Sequence, residues 1–309
     1  MLLLLAVLPR LFWEGAPDTA TALRDAGIGQ IVVPAAQAAA WKGTPGITVE
    51  TGAIEGAVKL VAPAVDYRID EASASRSPWL DSNGWQFLRL PRGRFYYDVK
   101  GPAAALAAAE AFSYGADAVI RTDASGLQPL GQMLGFLRNL PAETAAQAVA
   151  DIGFIDDGSE DAGEVMNLMV RENLLFRLTP SPDRKLKLNV RLGSKEYPAE
   201  EAKDPGRMAH MVRANLTDEK RSLRIYGSLV VVARLTASAG RMRVHLLNYA
   251  GAARKVDGLR VRVLGRYTKH VLAAAGSPGE ELLDYTLEKD ATEFTLPELK
   301  TYAVIDLAR

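Results

Sequence analysis

The feature that most constrains this chain is a change of rhythm near residue 227. Before it, short β-branched runs alternate with helical segments; after it, strand follows strand with no helix between. Arg10–Glu14 reads as a strand stopped by Gly15, Pro17-Asp18 opens a helix that Gly27 ends, and Gln30–Val33 is a second strand closed by Pro34. The pattern resumes at Gly101-Pro102, where an alanine-rich helix runs to Gly115, and continues through strands at Ala118–Arg121, Ile152–Ile155, Leu174–Leu178, Leu186–Arg191 and Leu223–Tyr226. Leucines at 127, 130, 134 and 137, and Met208, Met211 and Val212, mark helices by three- and four-residue spacing. Strands separated by helices must pair in parallel, so the spacing predicts an α/β module. With about eight such strands, an irregular (β/α) barrel over residues 1–228 is the expected form, and a doubly wound sheet the competing one.

Residues 229–309 are expected to form a small antiparallel β-sandwich. In Arg241–Tyr249, Met242, Val244 and Leu246 share one face while Arg241, Arg243 and His245 share the other; Leu259, Val261 and Val263 repeat the design against Arg260 and Arg262. One apolar and one charged face predict a sheet covering a core on one side, with His245 on the solvated side. The arginine-bearing faces are also candidates for docking a partner or a second copy.

Charge excludes one class of partner. Lys plus Arg equals Asp plus Glu at 37 each, so no long-range field draws the chain to nucleic acid. The absence of cysteine removes disulfides and thiolate chemistry. The opening Met1–Leu8 is apolar but too short to span a bilayer, and is read as a signal-peptide remnant or as padding for the first strand, which favours an extracytoplasmic protein. His210, His245 and His270 form no metal-ligand pair, and there is no phosphate loop, G-x-G-x-x-G or G-x-S-x-G, so neither cofactor nor metal is expected.

Two groups of residues point to chemistry. In a parallel α/β module the loops after the strands form the working face, and acids stand there: Glu14, Asp123, and the adjacent Asp156 and Asp157. Glycosidic cleavage needs two carboxyls across a sugar, about 5–5.5 Å apart for retention and about 6.5–9.5 Å for inversion. The competing role of Asp123 is a helix cap, and that of Asp156-Asp157-Gly158 a turn. The second group is Arg76, Trp79, Asp81, Asn83 and Trp85, in which two of the four tryptophans lie six residues apart among polar groups able to bind hydroxyls. Its competing role is a structural loop plugging the barrel mouth.

Val244-His-Leu-Leu-Asn-Tyr249 resembles a strand common in the C-terminal sandwiches of β-galactosidase-like enzymes, and Thr292–Leu296 with Tyr302–Asp306 is similar to their closing strands. The order of modules likewise resembles glycoside hydrolases in which an (α/β) barrel precedes a β-sandwich. The resemblance implies a carbohydrate-active protein, a glycoside hydrolase acting on oligo- or polysaccharide through paired carboxylates. No position matches such a family's acid/base motif, which leaves a non-catalytic carbohydrate-binding or scaffold protein as the alternative.

Overall fold

The structure, a computed structural model, describes residues 7–67, 78–143, 145–238 and 240–309. The chain runs through β1 (Arg10–Phe12), α1 (Ala20–Asp25), β2 (Gln30–Val33), α2 (Ala38–Trp41), β3 (Thr48–Thr51), β4 (Val58–Leu60), β5 (Ala64–Asp66), β6 (Trp79–Asp81), α3 (Gly84–Arg89), β7 (Arg94–Val99), α4 (Ala103–Tyr114), β8 (Asp117–Thr122) and α5 (Ala124–Asn139). It continues with β9 (Gln147–Ala148), β10 (Ile152–Ile155), α6 (Glu160–Arg171), β11 (Phe176–Leu178), β12 (Leu188–Arg191), α7 (Ala199–Ala202) and α8 (Pro205–Leu216). The closing elements are β13 (Leu223–Tyr226), β14 (Val231–Ser238), β15 (Arg241–Asn248), β16 (Val256–Leu264), β17 (Lys269–Ala274), β18 (Leu283–Leu287), β19 (Ala291–Leu299) and β20 (Tyr302–Ala308).

Local chemistry sets the helices of the first part. Gly115, at φ 63°, takes the left-handed position that ends α4, and its N–H returns to the carbonyls of Ala111 and Phe112. Gly131 lets α5 lie against the end of α1, since a Cβ there would fall on the carbonyl oxygen of Ala26. Gly131→Ala should therefore lower stability by about 1–3 kcal/mol. Gly135→Ala on the same helix, where a Cβ meets open space, should raise it by about 0.5–1 kcal/mol. Equal urea midpoints for the two variants would contradict this account of the α1–α5 contact.

The parallel strands do not close into an eight-stranded barrel. They divide into a six-stranded sheet of order β3-β2-β1-β8-β7-β4 and a three-stranded sheet of order β11-β10-β12. The larger sheet is nevertheless curled. Its two edges, β3 and β4, are joined by residues 52–57 alone. Such a link reaches at most about 25 Å, while a flat sheet of six strands is about 24 Å across and a parallel return adds the length of a strand. The edges must approach, and Arg94 fastens them by donating to the carbonyl of Ala53 at 2.7 Å. No ladder joins β3 to β4 among the described residues, so the result is an open, curled sheet. Its outer face, with Leu11, Ile31 and Ile120 fully buried, packs on α4 and α5. Its inner face carries ion pairs, Arg10 with Glu50 at 2.9 Å and with Asp117 at 2.7 Å.

The later strands form two antiparallel sheets, β13-β16-β19-β18 and β17-β20-β15-β14-β9. Val244, Leu246, Ile305 and Leu307 of one meet Val261, Val263, Phe294 and Leu296 of the other. Two expectations change here. Leu223–Tyr226, read as the last strand of the larger module, pairs antiparallel with β16. The charged face of β15 is not solvated, because it is buried against the first module: His245 is 2% exposed and bonded through a ring nitrogen to the Tyr302 hydroxyl at 2.7 Å. Burial holds its pKa well below the ordinary histidine value. Arg243 on the same face binds Asp306 through Nε and Nη2 at 2.6 and 2.8 Å, and the Arg234 guanidinium lies 3.8 Å over the Tyr114 ring. This arginine face therefore docks within the chain. On the outer sheet, Arg260 pairs with Glu293 at 2.6 Å.

Candidate functional site

The acids expected at the strand ends divide between the two parallel sheets. Glu14 and Asp123 follow β1 and β8 of the larger sheet, whereas Asp156 and Asp157 follow β10 of the smaller. Asp123 is the N-cap of α5, accepting from the Ser125 hydroxyl at 2.5 Å and from the Gly126 N–H at 3.2 Å. Asp156 is gripped by Arg89, Nε at 2.8 Å and Nη2 at 2.7 Å. Asp157 accepts from the N–H of Ser159 at 2.9 Å. Glu14 approaches Arg121 at 3.5 Å, and the same guanidinium holds Asp98 at 2.6 Å. Sharing one guanidinium keeps the bonded oxygens of Glu14 and Asp98 within the about 9.5 Å limit of an inverting pair.

Protonation argues against acid catalysis by these aspartates. The Ser125 hydroxyl holds Asp123 below the usual carboxylate range; Arg89 does the same for Asp156, Ser159 for Asp157 and Arg121 for Asp98. A general acid at neutral pH needs the opposite shift.

The tryptophan-bearing segment is also split. Arg76 lies outside the described residues. Trp79 and Asp81 project on one side of β6, with Leu80 buried between them on the other. The Arg171 guanidinium lies 3.8 Å over the Trp79 ring, and Asp81 is hydrogen-bonded to Trp79 with its pKa raised by burial. Trp85, on α3, packs instead beside Gly163, eight residues and so about 12 Å up α6 from Arg171. One sugar ring cannot lie across both indoles. Asn83 is fully buried and contacts no solvent: its side chain binds the backbone of Val61 and the carboxylate of Glu110.

Where α6 ends, the chain builds a groove of about 430 Å³ between β6, α6, α8 and β13. Trp79, Leu80, Leu168 and Leu229 give it apolar walls, and Arg171, Glu172, His210, Arg213 and Arg221 its polar ones. Glu172 is the C-cap of α6. Its Oε1 meets His210 Nδ1 at 2.9 Å, while Oε2 is buried with no hydrogen-bond partner among the described residues. Burial pushes its pKa up, against the opposing pull of His210, Arg213 and Arg221. Asp218 beside it is held at about 2, chiefly by Arg213, which donates to it at 3.2 and 3.0 Å. A carboxyl shifted up and a carboxylate shifted down thus share one set of arginines, the arrangement from which acid and base roles are built.

A local device holds Glu172 in place. Asn173 stands at φ 57°, and its side chain accepts from the N–H of Ala233 at 2.6 Å and donates to the carbonyl of Val231 at 3.1 Å, stitching the end of α6 to β14. Arg221 donates to the carbonyls of Glu172 and Asn173, each at 3.0 Å. Because α6 runs back from the carboxyl end of β10, the groove lies at the opposite end of that β–α unit from Asp156 and Asp157. Sequence reasoning therefore missed Glu172, Arg171, Arg213, Arg221 and Asp218. The available signal was the three-residue spacing of His210 and Arg213, which puts both on one face of α8.

No protein-family model matches the chain, and no curated protein matches it in sequence. Solved structures do. α-L-Fucosidase isoenzyme 2 from Paenibacillus thiaminolyticus superposes with a TM-score of 0.56, covering 85% of this chain and 68% of that one at 10% identity. The fold is glycoside-hydrolase-like. A catalytic mutant of Gan42B, a GH42 β-galactosidase from G. stearothermophilus, aligns over 86% of this chain and 64% of its own at 8% identity, but its TM-score of 0.37 adds no weight. At such identities the likeness concerns architecture alone. Among the described residues, no helix is long and apolar enough to cross a membrane.

Proposed function

We propose that this is a carbohydrate-active protein that binds glycan in the groove at the end of α6, and that it does so without hydrolysis at the strand-end acids. The observation that carries the reading is the groove itself, of sugar-binding size and lined by the Trp79 indole, Leu168 and Leu229 beside the polar Glu172, His210 and Arg213. The aliphatic wall suits the apolar face of a pyranose, and the polar side chains around it suit its hydroxyls. The glycoside-hydrolase-like fold supports the carbohydrate, and the caps and bridges that occupy Asp123, Asp156 and Asp157 support binding over cleavage there.

Calorimetry against a panel of oligosaccharides tests this. Trp79→Ala should weaken binding by about 10- to 100-fold while leaving the melting transition in place. Binding unchanged by that variant would remove the groove from the reading. A second reading, hydrolysis from the groove itself, draws on the raised pKa values of Glu172 and Asp81. Release of sugar from the panel, abolished in Glu172→Gln, would favour it.

A further inference from the structure

We propose that a small cavity beside Arg234 is a binding site for one monoatomic anion, a chloride or bromide ion, at the contact between the parallel module and the sandwich. The proposal is independent of the glycan reading. Arg234 stands on β14 and is 7% exposed, and an arginine stays charged when buried. Among the described residues its guanidinium makes one hydrogen bond, from Nη1 to the Ser113 carbonyl at 3.2 Å, and covers the Tyr114 ring at 3.8 Å. No carboxylate there stands within ion-pair distance of it. The acids of the same contact are committed elsewhere. Glu110 accepts from Asn83, Tyr97 and Tyr249, Glu143 meets Arg243 at 3.5 Å and Thr236 at 2.7 Å, and Asp306 binds Arg243 at 2.6 Å. The groups that face Arg234 instead are the phenols of Tyr114, Tyr249 and Tyr302.

A buried charge without a counter-charge is costly, and one carbonyl with one ring face offsets only part of that cost. The cavity supplies room for the rest. It measures about 20 Å³ and is lined by Arg234 and Tyr114 together with Leu88, Val149, Val170 and Phe176. That is space for one sphere of about the size of a water molecule, which admits a halide and excludes sulfate or phosphate. Asn173 also lines it, but its side chain is spent on Val231 and Ala233. A buried water needs about two to four polar partners, whereas a halide needs the guanidinium N–H groups and tolerates apolar walls. Leu88 and Val170 belong to the parallel module and Arg234 to the sandwich, so the ion joins the two.

The test melts the full chain in sodium chloride, sodium bromide and sodium gluconate at one ionic strength, gluconate being too large for the cavity. The midpoint should rise with halide concentration and saturate about 2–5 °C above its value in gluconate. Arg234→Gln should abolish that difference, and Arg260→Gln, on the outer sheet, should keep it. Crystals soaked in bromide should show its anomalous signal against the Arg234 guanidinium. Equal melting in halide and gluconate, a halide effect that survives Arg234→Gln, or bromide absent from the cavity each overturns the proposal. If Arg234→Gln does not fold, the wild-type melts and the bromide crystals decide.

Discussion

Glu110→Ala is expected to lower the stability of the fold by about 3–5 kcal/mol, read as a large fall in the urea midpoint. Glu110 sits in α4 with no exposed surface and accepts four hydrogen bonds. Oε1 takes the Asn83 N–H at 2.7 Å and the Tyr249 hydroxyl at 2.5 Å; Oε2 takes the Asn83 side-chain amide at 2.9 Å and the Tyr97 hydroxyl at 2.6 Å. Alanine strands donors on three separate pieces of chain, including Tyr249 just beyond β15, so the loss falls on the contact between the parallel module and the sandwich. Burial raises the Glu110 pKa, and its four donors oppose the shift without cancelling it. Since the folded state then holds its proton more tightly than the unfolded one, stability falls as pH rises from the ordinary carboxylate range through the folded value. Glu110→Gln keeps the shape and removes the titration, so it should lose less than alanine and flatten that slope. An alanine variant unfolding at the wild-type urea concentration would refute the role assigned to this residue.

How much of this was legible in the sequence depends on which interaction fixes each feature. Elements decided locally were readable: the alanine-rich α4 between Pro102 and Gly115, the leucine stripe of α5, and the alternation in β15 and β16. Pairing was not. Leu-Arg-Ile-Tyr at 223–226 reads equally well as the last parallel strand or the first antiparallel one, and only its partner β16 decides. The barrel failed for the same reason: periodicity gives strands, while the division into a six- and a three-stranded sheet is a long-range matter. The misplacement of His245 is more instructive. An alternating strand with one charged face normally meets water on that face, but here Arg234 finds Tyr114 across the module contact, and Arg243 and His245, buried beneath the same contact, find Asp306 and Tyr302 on the neighbouring strand β20. Sequence showed the polar residues and could not show their partners.

The candidate site was legible only in part, because the sequence argument looked where barrels carry chemistry, at the carboxyl ends of strands. There the acids are engaged locally, Asp123 and Asp157 by hydrogen bonds within three residues and Asp156 by Arg89. The groove instead draws on positions 79, 172, 210, 213 and 221, which no motif connects. Trp79 was weighed because tryptophan is rare. Glu172 was not, since a glutamate at a helix end is unremarkable until burial and an unpartnered oxygen mark it out.

Asn173→Ala should cost about 3–5 kcal/mol and should also weaken glycan binding, although Asn173 carries no catalytic role. Two terms add to the loss of stability. The backbone stands at φ 57°, a conformation asparagine adopts far more readily than alanine. The side chain also mimics a strand partner for β14, and without it the Ala233 N–H and the Val231 carbonyl lose their bonds in a buried place. The effect on binding follows from position: Glu172 is the preceding residue, and Arg221 holds the carbonyls of both. Once the stitch to β14 is gone, Glu172 is held by Arg221 and His210 alone and is placed less firmly. Asn173→Gly separates the terms, because glycine accepts the backbone conformation and removes only the two side-chain bonds; its loss should be smaller than alanine's by about 1 kcal/mol. Urea titrations give the stabilities, and calorimetry with the best-binding oligosaccharide gives the affinities, measured where both variants remain folded. If the folded Asn173→Gly protein binds as tightly as wild type, Asn173 supports the fold alone and Glu172 is held in place by other means.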